Sequence, residues 1–181
     1  MVTNAADDRR VEASGADVIV AQGLEAGGHR SHFTKPAHPL AQDIGTMALV
    51  PEVVDAVRVP VLAAGGITDG RGLAAALALG ADGVLLGSRF VVTRESQAPE
   101  SHKKRILEEQ GDHTTVTDAF TGRYARMLAN RYTDAFARPG APPALPFPSQ
   151  YLLNADLRAA AERAEDPEFL PLWCGQAAGQ L

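Results

Sequence analysis

An α/β fold made of repeated βα units, and among such folds a (β/α) barrel, is what this sequence predicts. Three observations carry that expectation. From the start to about residue 92 one grammar repeats: a short apolar run, a glycine-rich turn, then an Ala-rich or amphipathic segment, the pattern of a parallel sheet with helical crossovers. The apolar runs at 18–21, 61–64 and 84–86 carry Val, Ile, Leu and Ala almost throughout, as strands covered on both faces do. The phrase Gly-Ala-Asp precedes two of them, in GADVIV at 15–20 and GADGVLL at 80–86. Quasi-repeated units at this spacing favour a barrel; a doubly wound open sheet is the alternative.

Taken in order, a helix is expected over 7–14, a strand over 18–21, a helix over 49–57, a strand over 61–64, a helix over 71–79 and a strand over 84–86. Gly15 and Gly80 stand where a helix ends on a left-handed residue, and Thr68 or Asp69 can cap the third helix. After Thr93 the grammar changes. Residues 99–110 read as a charged surface helix with Pro99 in its first turn, 114–117 as a β-branched run, and 123–132 as either strand or helix. Residues 138–149 hold five prolines and one glycine, which makes an extended connector. A helix over 151–164 follows, then EDPEFLPLWCGQAAG, an apolar tail that packs onto the body.

The totals bound the function. With 181 residues, 45% of them hydrophobic, the chain suits one domain with a real core. Seventeen Lys and Arg against 22 Asp and Glu give a net charge of −5, and no basic stripe carries interleaved aromatics, so nucleic acid is not the expected partner. Cys174 is the single cysteine, and the opening residues read as neither a signal peptide nor an apolar span, so a cytoplasmic location is expected. The stretch LAAALALGA falls far short of the roughly 20 residues of a membrane helix, so no membrane is expected as a partner. Neither GxxxxGK[ST] nor a GxGxxG opening a helix after a strand occurs. His29 and His32 lie three apart without a third ligand, so no metal site is expected.

Two turns carry the chemistry. AAGGITDGRG at 63–72 and LLGSRF at 85–90 follow successive strands, at the carboxyl ends where barrels of parallel strands place their sites and grip phosphate. Gly65 and Gly66 lack Cβ and let the backbone approach an anion, and Gly87 and Ser88 add N–H groups and a hydroxyl; the plain alternative is that these glycines only permit tight turns. The loop after the first strand, 22–32, faces the same mouth. It carries His29, whose imidazole, with an ordinary pKa near 6.5, suits proton abstraction near neutral pH. Arg30 either neutralises an anion or lies in solvent, and His32 and His38 read as surface residues.

With these residues in hand the chain resembles the nitronate monooxygenase family, also called 2-nitropropane dioxygenases, which are FMN-dependent TIM-barrel enzymes. The resemblance rests on AQGLEAGGHRSH at 21–32, on LVPEVVDAVRVPVLAAGGITDGRGLAAALALGADGVLLGSRF at 49–90, on TDAFTGRYARMLANR at 117–131, and on LWCGQAAG at 172–179. It implies a (β/α)8 TIM-barrel fold of which this chain holds the C-terminal half and a C-terminal helical extension. That is one partial-barrel domain, with the βα units and FMN site in 1–95 and a family-specific segment in 96–181. A complete barrel takes about 250 residues, and Val2 and Thr3 read as the remnant of a fourth strand.

The family's catalytic base carries onto His29. Its flavin contacts carry onto Gln22, Gly27, Gly66, Leu85, Leu86, Gly87 and Ser88, and the close approach of backbone adds Gly28 and Gly65. Ser31 stands where the family often has glycine. The implied reaction oxidises alkyl nitronates or nitroalkanes with dioxygen to carbonyl compounds and nitrite. The exposed edges of a half barrel imply a homo-oligomer or association with a first half. The rival readings are a flavin-dependent enoyl-ACP reductase and a non-catalytic fragment that only associates. Arg94, Glu95, Trp173 and Cys174 are read as packing or surface residues.

Overall fold

The computed structural model describes residues 1–109 and 111–181, with residues 5 and 6 described along the backbone alone. Its elements run α1 (Ala5–Ala13), β1 (Ile19–Gln22), β2 (Gly28–His29), α2 (Thr46–Ala56), β3 (Val61–Ala64), α3 (Gly70–Ala78), β4 (Gly83–Leu85), α4 (Ser88–Val91), α5 (Glu100–Glu108), β5 (Thr114–Thr117), β6 (Ala125–Leu128), α6 (Arg131–Ala137), α7 (Ser149–Leu153) and α8 (Ala155–Arg163). Gln110, the last residue of the helix expected over 99–110, lies outside the described residues.

The first half follows the expected grammar. Strands β1, β3 and β4 form one parallel sheet in that spatial order, and Val2 extends it on the far side of β1 through a parallel bridge to Ala21. Units consecutive in sequence are therefore neighbours in space, as successive crossovers of one hand produce. Leu49, Val50 and Val53 of α2 bury completely against Ile19, Ala21, Val61 and Ala63, and each such side chain contributes about 1.5–3 kcal/mol. Gly15 at φ +90° and Gly80 at φ +94° close α1 and α3 in the left-handed region. Asp69 supplies the cap of α3, accepting from Arg71 N–H at 2.9 Å. Burial on both faces holds for β1 and β3 and fails for β4, where Leu85 is 43% exposed, because β4 is an edge strand among the described residues.

The second half departs from a purely helical extension. Strands β2, β6 and β5 form an antiparallel sheet in that order, so the expected loop around His29 is itself part of a ladder, with His29 opposite Ala125. The ambiguous 123–132 stretch is both strand and helix: β6 ends, and Asn130 opens α6 through a capping box with Thr133. The single helix expected over 151–164 is broken at Asn154, whose buried side chain turns in to donate to the Phe120 carbonyl at 2.8 Å. The proline connector runs without regular structure and presses on Gly122, where an added Cβ would stand 2.1 Å from the Leu145 carbonyl. The tail buries Leu170, Leu172, Cys174 and Ala178 against Ile106, Leu128 and Ala161. Among the described residues no helix is long and apolar enough to cross a membrane.

Candidate functional site

A cavity of about 410 Å³ opens where the carboxyl ends of β1, β3 and β4 meet the tail, within the range of about 300–1,000 Å³ that small-molecule sites occupy. Every site residue expected from the sequence lines it: Gln22, Gly27, Gly28, His29, Gly65, Gly66, Leu85, Leu86, Gly87 and Ser88. The parallel register explains why. Gln22, Ala64 and Leu85 end adjacent strands level with one another, so the turns that follow them converge.

The glycines divide by cause. An added Cβ at Gly27 would stand 2.6 Å from the Cys174 carbonyl carbon, and one at Gly65 2.8 Å from the Ala26 nitrogen, so the protein's own backbone already requires glycine at these two positions. At Gly28 and Gly87 an added Cβ would meet nothing within 4 Å. Both border the cavity, and this is space that a bound group can enter. Among the described residues the backbone N–H groups of Gly65, Gly66 and Gly87 have no acceptor, which leaves them for an anion. This donor set and the apolar side chains of Leu85, Leu86 and Trp173 in the cavity wall fit a ring system that carries a phosphate.

Two expected contacts hold the protein as well as facing the cavity. The Gln22 amide donates to the His29 carbonyl at 2.9 Å and accepts from Ser31 N–H at 3.0 Å, so it straps the 22–31 loop. The Ser88 hydroxyl accepts from Gly175 N–H at 2.9 Å. Glu25 of the EAGGH element turns away to the start of α2. It accepts from Thr46 N–H at 2.9 Å and from the Thr46 hydroxyl at 2.7 Å, and α2 begins earlier than the apolar pattern implies for that reason.

His29 stands at the rim. Its ring lies 5.1 Å, centroid to centroid, from that of Trp173 at a 41° tilt, and its Nε2 is 2.9 Å from Thr121 Oγ1. Partial burial, and then the positive charge of Arg123, lower its pKa from 6.5, so the neutral, proton-accepting form prevails at neutral pH. A second cavity of about 480 Å³ shares His29 and is walled by Arg30, Ser31, His32, Phe33, Arg123 and Phe147.

One reading of the loop is corrected, that of His32, and the alternative left open at Arg30 is decided. His32 is 5% exposed and bonds Asp43 at 2.9 Å, so it is no surface residue. Arg30 is 2% exposed. Its guanidinium pairs with Asp43 at 3.1 Å and donates to the Gly23 and Gln22 carbonyls, so the anion it neutralises is internal. His38 is exposed, as expected. Cys174 is a packing residue: burial pushes its thiol up to about 11, far from the thiolate that a nucleophile needs. Trp173 packs too, but against His29 in the cavity. Sequence reasoning missed it together with Thr121, Gly175 and Ala177. Trp173, Gly175 and Ala177 lie in the cavity wall more than 140 positions from His29 in the chain; that the chain's one Trp sits in a Gly-flanked tail motif was the available signal.

Comparisons with known proteins bear on this site. The family model described as nitronate monooxygenase matches residues 1–181. A probable nitronate monooxygenase of Staphylococcus aureus strain Newman is 43% identical over 166 residues, which cover 91% of this chain and 46% of the relative. The solved nitroalkane oxidase from Streptomyces ansochromogenes superposes with a TM-score of 0.90 at 42% identity, over 98% of this chain and 50% of that one. FabK from Thermotoga maritima superposes with a TM-score of 0.73 at 33% identity, over 99% of this chain and 53% of that one. The chain spans about half the length of the curated relatives it matches.

Proposed function

The chain belongs to the nitronate monooxygenase family, and from that membership we propose that its cavity binds FMN and that His29 is the base that deprotonates a neutral nitroalkane. The consecutive parallel units, Val2 through β4, support reading them as neighbouring staves of a TIM-type barrel whose mouth is this site. The convergence of all the expected glycine turns and His29 on one cavity carries the functional reading.

The N–H groups of Gly65, Gly66 and Gly87, with the Ser88 hydroxyl, would hold the phosphate, and Gln22, Gly28, Leu85, Leu86 and Trp173, which line the same cavity, would hold the ring. When bound, FMN would supply the electron-transfer chemistry between nitronate and dioxygen. The protein's own step is the proton transfer. The C–H bond beside the nitro group breaks, its proton passes to the imidazole, and its electron pair stays on the substrate as the nitronate; dioxygen is the oxidant and the source of the added oxygen atom, so that two nitronates and one dioxygen balance two carbonyl compounds and two nitrites. Neutral His29 at neutral pH is the form this step needs. The second cavity, which His29 also borders, offers the substrate its approach.

The test is His29→Ala. FMN binding is read from quenching of Trp173, the only tryptophan in the chain, and should persist, while turnover of neutral nitroethane should fall on the order of 10²-fold or more. Undiminished turnover overturns the assignment of the base. Reduction of the bound flavin by NAD(P)H as a condition of turnover would favour the flavin-dependent enoyl-ACP reductase reading instead.

A further inference from the structure

Thr121 reaches His29 from the far side of the chain, 92 residues away in sequence, and its hydroxyl serves more than the imidazole. The same Oγ1 donates to the Arg123 carbonyl at 3.1 Å and accepts from the Arg123 N–H at 3.3 Å. A threonine hydroxyl has one hydrogen and two lone pairs. If its hydrogen goes to the Arg123 carbonyl, the lone pairs take the Arg123 N–H and an N–H at His29 Nε2, and every group is satisfied. If the hydrogen goes to His29 instead, the Arg123 carbonyl, which can only accept, has no donor among the described residues. The first arrangement is the favoured one.

We propose that Thr121 is a positioning residue that fixes His29 as the Nε2–H tautomer and so makes Nδ1 the atom that takes the substrate's proton. The proposal rests on the reading of His29 as the base. Which ring nitrogen is basic is set by the hydrogen bond that the other one makes. Among the described residues Nδ1 makes no hydrogen bond, and the ring borders both cavities. Trp173 limits the ring's tilt, and the antiparallel pairing of His29 with Ala125 fixes its backbone, so the tautomer is what remains for a side chain to decide.

The experiment uses Thr121→Val, which keeps the shape and removes the hydroxyl, and Thr121→Ser, which restores it. In protein labelled with ¹⁵N-histidine, held above the pKa of His29, NMR should place the proton on Nε2 in the wild type and the serine variant, and on a mixture of both nitrogens in the valine variant. The kcat for neutral nitroethane should fall about tenfold in the valine variant, with KM little changed, and return in the serine variant; the loss should exceed that for nitronate prepared beforehand, which needs no deprotonation. A wild-type proton on Nδ1, or a valine variant with the wild-type tautomer, overturns the proposal. The wild-type tautomer decides the matter even where the valine variant fails to fold. Loss of turnover in His29→Ala together with an Nδ1–H tautomer would sink this inference alone; retained turnover in His29→Ala would sink the functional reading instead.

Discussion

At His29 two effects act in the same direction. Burial disfavours the charged ring and is the larger; the Arg123 guanidinium repels an added proton and is the smaller. Both lower the pKa from 6.5, so the base form persists to more acid pH than a free histidine allows. The sign of a test follows. Arg123→Gln removes the repulsion and leaves the burial, so the pKa rises part of the way back, and the acid limb of kcat/KM for neutral nitroethane moves to higher pH. Trp173 offers a readout independent of turnover, since a protonated imidazole in contact with an indole quenches its fluorescence and the two rings are 5.1 Å apart. The quenching midpoint should move with the acid limb, and a midpoint that moves to lower pH in the glutamine variant contradicts the assignment. Arg30 shows the opposite use of a guanidinium. With its side chain and that of Asp43 wholly buried, it fastens the loop, and removing one member of such a pair costs about 3–5 kcal/mol because the buried charge left behind loses its opposite charge and keeps only weaker partners, His32 for Asp43 or the Gly23 and Gln22 carbonyls for Arg30.

Among the elements, α2 shows most clearly how the site and the fold share parts. Gly45 stands at its N-cap without a side chain to offer, and Pro51 lies inside the helix, where the missing N–H costs one internal hydrogen bond. Glu25 compensates from another segment, placing a carboxylate at the positive end of the helix with two bonds to Thr46. Glu25→Ala is therefore expected to lower stability by about 1–2 kcal/mol in chemical denaturation, and Glu25→Gln by less, because the amide oxygen still accepts. Equal losses in the two variants would mean that packing, and not the cap, is what Glu25 supplies. This also bears on what the sequence made legible. Continuous apolar runs and glycine stops mark β1, β3, β4, α1 and α3, because their cause is local. The start of α2 depends on a carboxylate 21 residues earlier, and the strand character of Gly28 and His29 on a partner nearly a hundred residues later. Such contacts leave no mark in local periodicity. The contacts of Thr121 and Trp173 with His29 escaped notice for the same reason.

Across the whole molecule, the tail closes the cavity by running between the loop after β1 and the turn after β4. Gln176 N–H donates to the Glu25 carbonyl at 2.9 Å, and Gly175 N–H to Ser88 at 2.9 Å, so residues at opposite ends of the chain hold one wall. Glycines at the site can thus serve the fold, a ligand, or both, and paired substitutions separate these roles. Gly27→Ala puts a methyl group 2.6 Å from backbone atoms of the tail. The loop and tail must part, at a cost of about 1–3 kcal/mol, and both the denaturation midpoint and the affinity for FMN should fall together. Gly87→Ala meets no protein atom within 4 Å, and its backbone, at φ −99°, is open to any residue. Its midpoint should stay within about 0.5 kcal/mol of the parent. If the phosphate lies against Gly87, however, the methyl group occupies the ligand's space and FMN affinity, measured by Trp173 quenching, should drop at least tenfold. A Gly87→Ala protein that binds FMN as tightly as the parent would move the phosphate away from this turn and onto Gly65 and Gly66 alone.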